Sequence, residues 1–237
     1  MIGYQRQTKI LEYLETKQTA TIRELAGILY TSEASVRRDI AALEVQGLVQ
    51  KIYGGVLLSK YQNQVIPLSL RDGENSAAKD EIARRAAEMI HDGDTVIIDA
   101  SSTSRRIIKY IDHLHNVKII TNNLRFFSEC TNPHITLYCT GGTYYRGNHV
   151  FVGPSAESYI RSISADYLFF SSQGITEDGM ISDVSEEESS LRRIMIKQSN
   201  KQFFLCDSSK IGVRKMFTLC HKDDLTGIIC DKKLPWE

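Results

Sequence analysis

Through the first sixty residues the apolar positions recur at helical spacing in three successive runs. Between Gln5 and Thr16 they are Ile10, Leu11 and Leu14; from Thr21 to Leu29 they are Ile22, Leu25, Ala26 and Leu29; from Ser32 to about Gly47 they are Val36, Ile40 and Leu43. Each run predicts a short amphipathic helix with one buried stripe. Thr21 is expected to cap the second helix, with Glu24 three residues on completing a capping box, and Ser32 to cap the third. Only Tyr30, Thr31 and Ser32 separate the second run from the third, a connection suited to a helix-turn-helix. Two β-prone runs, LVQKIY and VLL, then flank Gly54-Gly55 and predict a hairpin wing.

From Leu58 to about Asn75 the periodicity disappears, and Pro67 and Asp72-Gly73 break what is left. The expected organisation is therefore a winged helix-turn-helix over 1–57, a linker over 58–75 and a second domain over 76–237. In the second domain helical and β patterns alternate: a helix over Lys79 to Ile90, a strand TVIID at 95–99, a helix over Arg105 to Ile111 and a strand VKIIT at 117–121. Short β runs ITLYCT, DYLFFSS and QFFLCD follow, with a helix from Glu187 to Gln198 before the last. That succession predicts an α/β fold with a mainly parallel sheet.

Composition narrows the reading only a little. With 42% hydrophobic and 24% charged residues the chain is of ordinary globular make-up, and 29 basic residues against 29 acidic ones mean that any basic surface must be local. The five cysteines show no CxxC spacing and are odd in number, which points to reduced thiols filling a core in the cytoplasm. No apolar run approaches the ~18 residues of a membrane span, so the chain is expected to be neither exported nor membrane-bound.

The third helix would present Ser35, Arg37 and Arg38 outward, side chains able to meet base edges and phosphates. With Thr21, Ser32, Lys51 and Tyr53 they form the candidate interface to double-stranded DNA. An interaction module with merely solvated arginines fits the same pattern. In the second domain every strand runs into polar residues: Asp99 to Ser104, Thr121-Asn122-Asn123, Thr140-Gly141-Gly142, Ser171 to Gly174, and Asp207 to Lys210. Ligands of open α/β sheets sit beyond the carboxyl ends of the strands, so these termini predict a pocket for a small hydroxylated ligand. The hydroxyls of Ser101 to Ser104 and the first-turn N–H groups behind them suit an anion such as phosphate, Lys210 adds positive charge, and Asp99, Asn122 and Asn123 suit sugar hydroxyls. Gly141-Gly142 would let backbone approach the ligand.

KILEYL, IRELAGILYTSEASVRRDIAALEVQGLV and KIYGGV resemble the helix-turn-helix of the DeoR family of bacterial transcriptional regulators over residues 6–57. GDTVIIDASST, IITNN, YCTGG, EEESSLRRIMI and LCDSSKIG resemble that family's C-terminal sensor domain, which is similar in fold to ribose-phosphate isomerases. The resemblance implies a repressor of a carbohydrate-utilisation operon, released by a phosphorylated sugar. Ser101, Ser102 and Thr103 would hold the phosphate beside Lys210, and Asp99, Asn122, Asn123, Gly141, Gly142, Asp183 and Glu187 would line the rest. The family usually has Gly where Ser101 stands and Lys where Arg192 stands. An isomerase fused to a DNA-binding head is the alternative, but a proton transfer beside a sugar carbonyl needs a carboxylate base, and the fourth strand runs instead into Ser171-Ser172-Gln173-Gly174. There is no GxSxG, GxxxxGK[ST] or GxGxxG motif, and His113-x-His115 lacks a third ligand, so neither cofactor nor metal is expected. One winged head makes few base contacts, so a homodimer or homotetramer is expected.

Overall fold

The structure, a computed structural model, describes residues 3–52, 55–58, 68–146 and 148–236. Contacts divide the chain into two compact units, Met1–Glu74 and Asn75–Glu237.

The first unit runs α1 (Gly3–Lys17), β1 (Thr19–Thr21), α2 (Ile22–Ile28), α3 (Glu33–Val45), β2 (Val49–Ile52), β3 (Gly55–Leu58) and α4 (Leu68–Gly73). The stripes named above are its core: Ile10 and Leu14 of α1, Leu25 of α2, and Val36, Ile40 and Leu43 of α3 are buried together with Val56 and Leu58. Each such side chain contributes roughly 1.5–3 kcal/mol by leaving water. The wing departs from a simple hairpin, because β1 joins it and makes a three-stranded antiparallel sheet of order β1-β3-β2. Gly55 is what allows β1 so close, since a Cβ there would stand 2.3 Å from the carbonyl oxygen of Ala20. α4 lies within the stretch read from the sequence as a linker.

The second unit continues α5 (Ser76–Ala87), β4 (Thr95–Ile98), a 3-10 helix (Ser104–Tyr110), β5 (Lys118–Thr121), α6 (Phe126–Glu129), β6 (Thr136–Cys139), β7 (Thr143–Tyr145), β8 (Val150–Val152), α7 (Pro154–Arg161) and β9 (Ala165–Phe170). Then come β10 (Gly174–Ile175), β11 (Met180–Asp183), α8 (Glu186–Lys197), β12 (Ser199–Cys206), a 3-10 turn (Ser208–Lys210), β13 (Phe217–His221) and β14 (Gly227–Cys230). Six strands form one parallel sheet of order β14-β12-β9-β4-β5-β6. Successive residues point to opposite faces, so Leu168, Phe170 and Phe204 pack on α7 and α8 while Phe169, Leu205 and Ile98 pack on α5 and the 3-10 helix. The hairpin β7-β8 and the small sheet β10-β11-β13 are additions that the strand pattern did not predict. The segment expected as an α-helix over Arg105 to Ile111 is the tighter 3-10 form.

Candidate functional site

Two polar surfaces can do chemistry, one in each unit. On α3 the sequence VRRD splits three ways, because each residue turns roughly 100° around a helix. Val36 is in the core, Arg37 and Arg38 are exposed, and Asp39 is buried against α1, where it accepts from Arg6 Nε at 2.7 Å and Nη2 at 3.2 Å. Asp39 thus pins α3 to α1. Arg38 Nη2 donates to Ser35 Oγ at 3.3 Å, and Arg37 lies 3.5 Å from Glu33. Exposed contacts of this kind are worth ~0.2–1 kcal/mol, so both guanidiniums can be transferred to a phosphate or a guanine edge at little cost.

The remaining candidates of the head are held more firmly. Ser32 Oγ accepts from the Ser35 N–H at 3.3 Å as the cap of α3. Thr21 closes its capping box: its hydroxyl accepts from the Glu24 N–H at 3.1 Å and donates to Glu24 Oε2 at 2.9 Å. Lys51 Nζ stands 2.6 Å from Glu44, and the hydrogen bonds from Lys51 hold the Glu44 carboxyl below the usual range. Tyr53 lies outside the described residues.

In the second unit the strand order reverses beside β4: β5 and β6 build to one side, β9, β12 and β14 to the other. The segments leaving β4 and β9 therefore diverge and leave a crevice beyond their carboxyl ends. Asp99, at the end of β4, is buried there, and its carboxylate accepts from the Ser101 N–H at 3.1 Å, Arg192 Nε at 2.7 Å and the Ser104 hydroxyl. Arg192, equally buried on α8, also donates to Asp183 Oδ2 at 3.1 Å and Glu188 Oε2 at 2.9 Å, and Glu188 Oε1 accepts from Asn148 Nδ2 at 2.9 Å. Burial would weaken the guanidinium's hold on its proton, but the three carboxylates outweigh it and raise the Arg192 pKa.

Several of the expected residues have partners within the protein. Asp99 and Asp183 accept from Arg192, Ser101 is engaged with Ser104 at 2.6 Å, and Glu187 is exposed while its neighbour Glu188 turns inward. Gly142, at φ +108, makes room for protein: a Cβ there would stand 2.6 Å from the Val152 carbonyl oxygen. Gly141 has open space around it at φ +63. The helix behind the serines is a 3-10 helix of seven residues, so no α-helical dipole stands behind them.

What stays open is a set of donors and acceptors on the same strand ends. The Thr103 hydroxyl, Asn122 Oδ1 and Asn123 Nδ2, and on α8 the Ser189 hydroxyl, are buried and bond to none of the described residues. The backbone N–H groups of Ser102 and Thr103 likewise meet no acceptor among them. Leaving a buried polar group unsatisfied costs ~1–3 kcal/mol, so these are the atoms of the strand ends with bonding capacity left to use. Beside it Lys210 Nζ donates to the Ser171 hydroxyl at 2.6 Å and lies 3.4 Å from Asp207. Burial pushes the Asp207 carboxyl up, yet Lys210, the Ser209 hydroxyl, Lys79 and Asn75 together hold it below the usual range. Lys79, buried on α5, went unrecognised in the sequence, where it reads as one more polar position of an amphipathic helix.

A separate surface cleft of about 430 Å³ lies between the 3-10 helix and the segment joining α6 to β6. Its charges are already matched, Arg105 to Glu129 and Lys109 to Asp80, and the Asn132 amide is bonded to the Asp112 and Leu114 carbonyls. Among the described residues no group of three or more His, Cys, Asp or Glu is placed to hold a metal ion, and no helix is long and apolar enough to cross a membrane.

Two family models match the chain: the DeoR-like helix-turn-helix domain over residues 6–62 and the DeoR C terminal sensor domain over residues 74–232. The HTH-type transcriptional regulator GolR of Listeria innocua is 31% identical over 235 residues, 99% of this chain and 92% of that one. The transcriptional repressor AccR of Agrobacterium fabrum is 32% identical over 95% of this chain and 88% of its own length. A lactose phosphotransferase system repressor of Staphylococcus aureus is 28% identical over 98% and 93%. Among solved structures, the full-length sorbitol operon regulator SorC of Klebsiella pneumoniae superposes with a TM-score of 0.40 at 10% identity, over 98% of this chain and 97% of that one.

Proposed function

The chain belongs to the DeoR family of transcriptional regulators, and from that membership and the open donors at its strand ends we propose that it is a repressor released from DNA by a phosphorylated sugar. The observation that carries the proposal is the buried, unpartnered Thr103 hydroxyl and the Ser102 and Thr103 N–H groups at the end of β4, with Lys210 at the end of β12. Several donors and an ammonium group suit the oxygens of a phosphate. Asn122 Oδ1 and Asn123 Nδ2, on the neighbouring strand end, offer one acceptor and one donor to sugar hydroxyls. The names of relatives point the same way, one of them a repressor of a sugar phosphotransferase system. Arg37 and Arg38 on α3 are the DNA contacts of this reading, and two copies of the chain would read two half-sites. To regulate, the effector must bind the DNA-competent and incompetent forms unequally.

The test begins with a duplex selected from a random pool by the wild-type protein and with thermal-shift screening of pentose and hexose phosphates, since a ligand specific to the native state raises Tm. Release of that duplex by the best ligand is then followed by fluorescence anisotropy for wild type, Lys210→Ala and Thr103→Val. A charge-assisted contact is worth ~1.5–3 kcal/mol, so Lys210→Ala should raise the effector dose by roughly one to two decades while DNA binding without effector stays intact. Wild-type dose response in both variants would remove the phosphate from this end of the sheet.

A further inference from the structure

We propose that Cys206 and Cys230 are a dithiol pair that closes to a disulfide under peroxide, and that this bond resets the turn carrying Lys210. The two residues end neighbouring parallel strands, β12 and β14, and are direct partners in the register. Both side chains point to the same face of the sheet and lie in the same core cluster. In-register neighbours stand roughly 4.8 Å apart across a sheet, inside the roughly 4.4–6.8 Å range of Cα separations that a disulfide spans. β14 is the outermost strand, with a single strand neighbour in the sheet, so it can close the remaining distance between the Cβ atoms without disturbing a second ladder. Among the described residues no other two cysteines are register partners: Cys139 faces Thr121 and Cys220 faces Ile181.

The Cys206 thiol lies 3.4 Å from the Asp207 carbonyl oxygen and the Cys230 thiol 3.5 Å from Asp231 Oδ1. Cys230, at the sheet edge, retains 6% exposure whereas Cys206 has none, so Cys230 is the residue that peroxide reaches first. The Cys230 thiolate attacks peroxide: an S–O bond forms, the O–O bond breaks, and the departing hydroxide takes up a proton to become water. The Cys206 sulfur then attacks the resulting sulfenic acid; the S–S bond forms, and the hydroxyl leaves as water with the Cys206 proton. Two thiols lose two electrons and one peroxide becomes two waters.

The consequence follows from what comes next in the chain. Asp207, after Cys206, faces Lys210 and accepts from Asn75 at 3.0 Å. Asp231, after Cys230, accepts from the Ser208 N–H at 2.6 Å and from the Ser208 hydroxyl at 3.1 Å. The disulfide therefore joins the two residues whose neighbours anchor both sides of the Ser208–Lys210 turn. This part does not depend on the nature of the effector.

The experiment uses the folded full-length chain. It is treated with hydrogen peroxide, quenched by alkylation in acid and analysed by intact mass and peptide mapping. The expected result is loss of the mass of two hydrogens, a Cys206–Cys230 linked peptide, reversal by dithiothreitol, and altered hydrogen exchange at the amides of residues 207–211. Cys230→Ser should abolish the link, and Cys130→Ser, Cys139→Ser and Cys220→Ser should leave it. Because mapping the wild type needs no variant, a misfolded Cys206 substitution does not affect the outcome. Both cysteines remaining alkylatable after peroxide, or linking only in denaturant, overturns the pair; a formed link with unchanged exchange at residues 207–211 overturns its reach to Lys210.

Discussion

Arg38 on α3 and Arg192 on α8 are the same side chain in opposite circumstances. Arg38 stands in solvent with one 3.3 Å hydrogen bond to a serine, whereas Arg192 is 3% exposed and donates to Asp99, Asp183 and Glu188 at once. The first can change partners almost freely; the second cannot leave its partners without stranding three buried carboxylates. A charged side chain drawn into a saturated network is scaffold, and the functional groups beside it are those whose bonds are still open. By that criterion the groups of the second unit with bonds left to make are Thr103, Asn122 and Asn123, and the site proposed above draws on them, with Asp99 and Arg192 as the scaffold beside them.

The sharpest way to break the comparison is Arg192→Ala. Removing one partner of a buried ionic network typically costs 3–5 kcal/mol, here against the second unit alone. The chain's one tryptophan, Trp236, packs against that unit's core and reports its unfolding by fluorescence. A melting curve indistinguishable from wild type at pH 7 would mean that the network is not scaffold.

Part of this was legible in the chain and part was not. The capping box at Thr21 and Glu24, the helix-turn-helix spacing and the polar strand ends were legible because each rests on residues close in sequence. β1 was not: three residues carry no period, and its partner Val56 lies far along the chain. Arg192 has one readable partner, Glu188 at i−4, but Asp99 is 93 positions away and nothing local announces it. The substitution of Glu188 for the expected Glu187 has a simple cause, since a shift of one residue on a helix turns a side chain by roughly 100° from solvent to interior. Ser101 is the subtler case. It stands in a cluster of four hydroxyls, and only the fold separates Ser101 and Ser104, bonded to each other, from Thr103, left open.

A smaller effect is expected on the other side of the comparison. Arg37→Ala and Arg38→Ala should leave the melting temperature nearly unchanged, because exposed pairs contribute little. Each should weaken DNA binding by ~1–3 kcal/mol if it contacts a guanine edge, or reduce the salt slope by about one if it contacts phosphate. Gel-shift titration of the selected duplex at two salt concentrations separates these cases. Full affinity in both variants would make the arginines merely solvated and move the interface off this face of α3.

The smallest effect tests a residue that belongs to both categories at once. Thr21 was expected at the DNA interface, yet its hydroxyl both accepts from and donates to Glu24 in the capping box of α2. If the side chain is scaffold, Thr21→Ala removes a cap worth typically ~1 kcal/mol from the head, and Thr21→Asn, which keeps an acceptor, restores most of it. DNA affinity measured well below the melting temperature should then be the same in all three proteins. If the hydroxyl also meets the DNA backbone, Thr21→Ala loses affinity even where the head is fully folded, and Thr21→Asn recovers stability without recovering binding. Circular dichroism melts and anisotropy on the same samples keep the two quantities apart. The first pattern places Thr21 with Arg192 as architecture, and the second places it with Arg38 as contact.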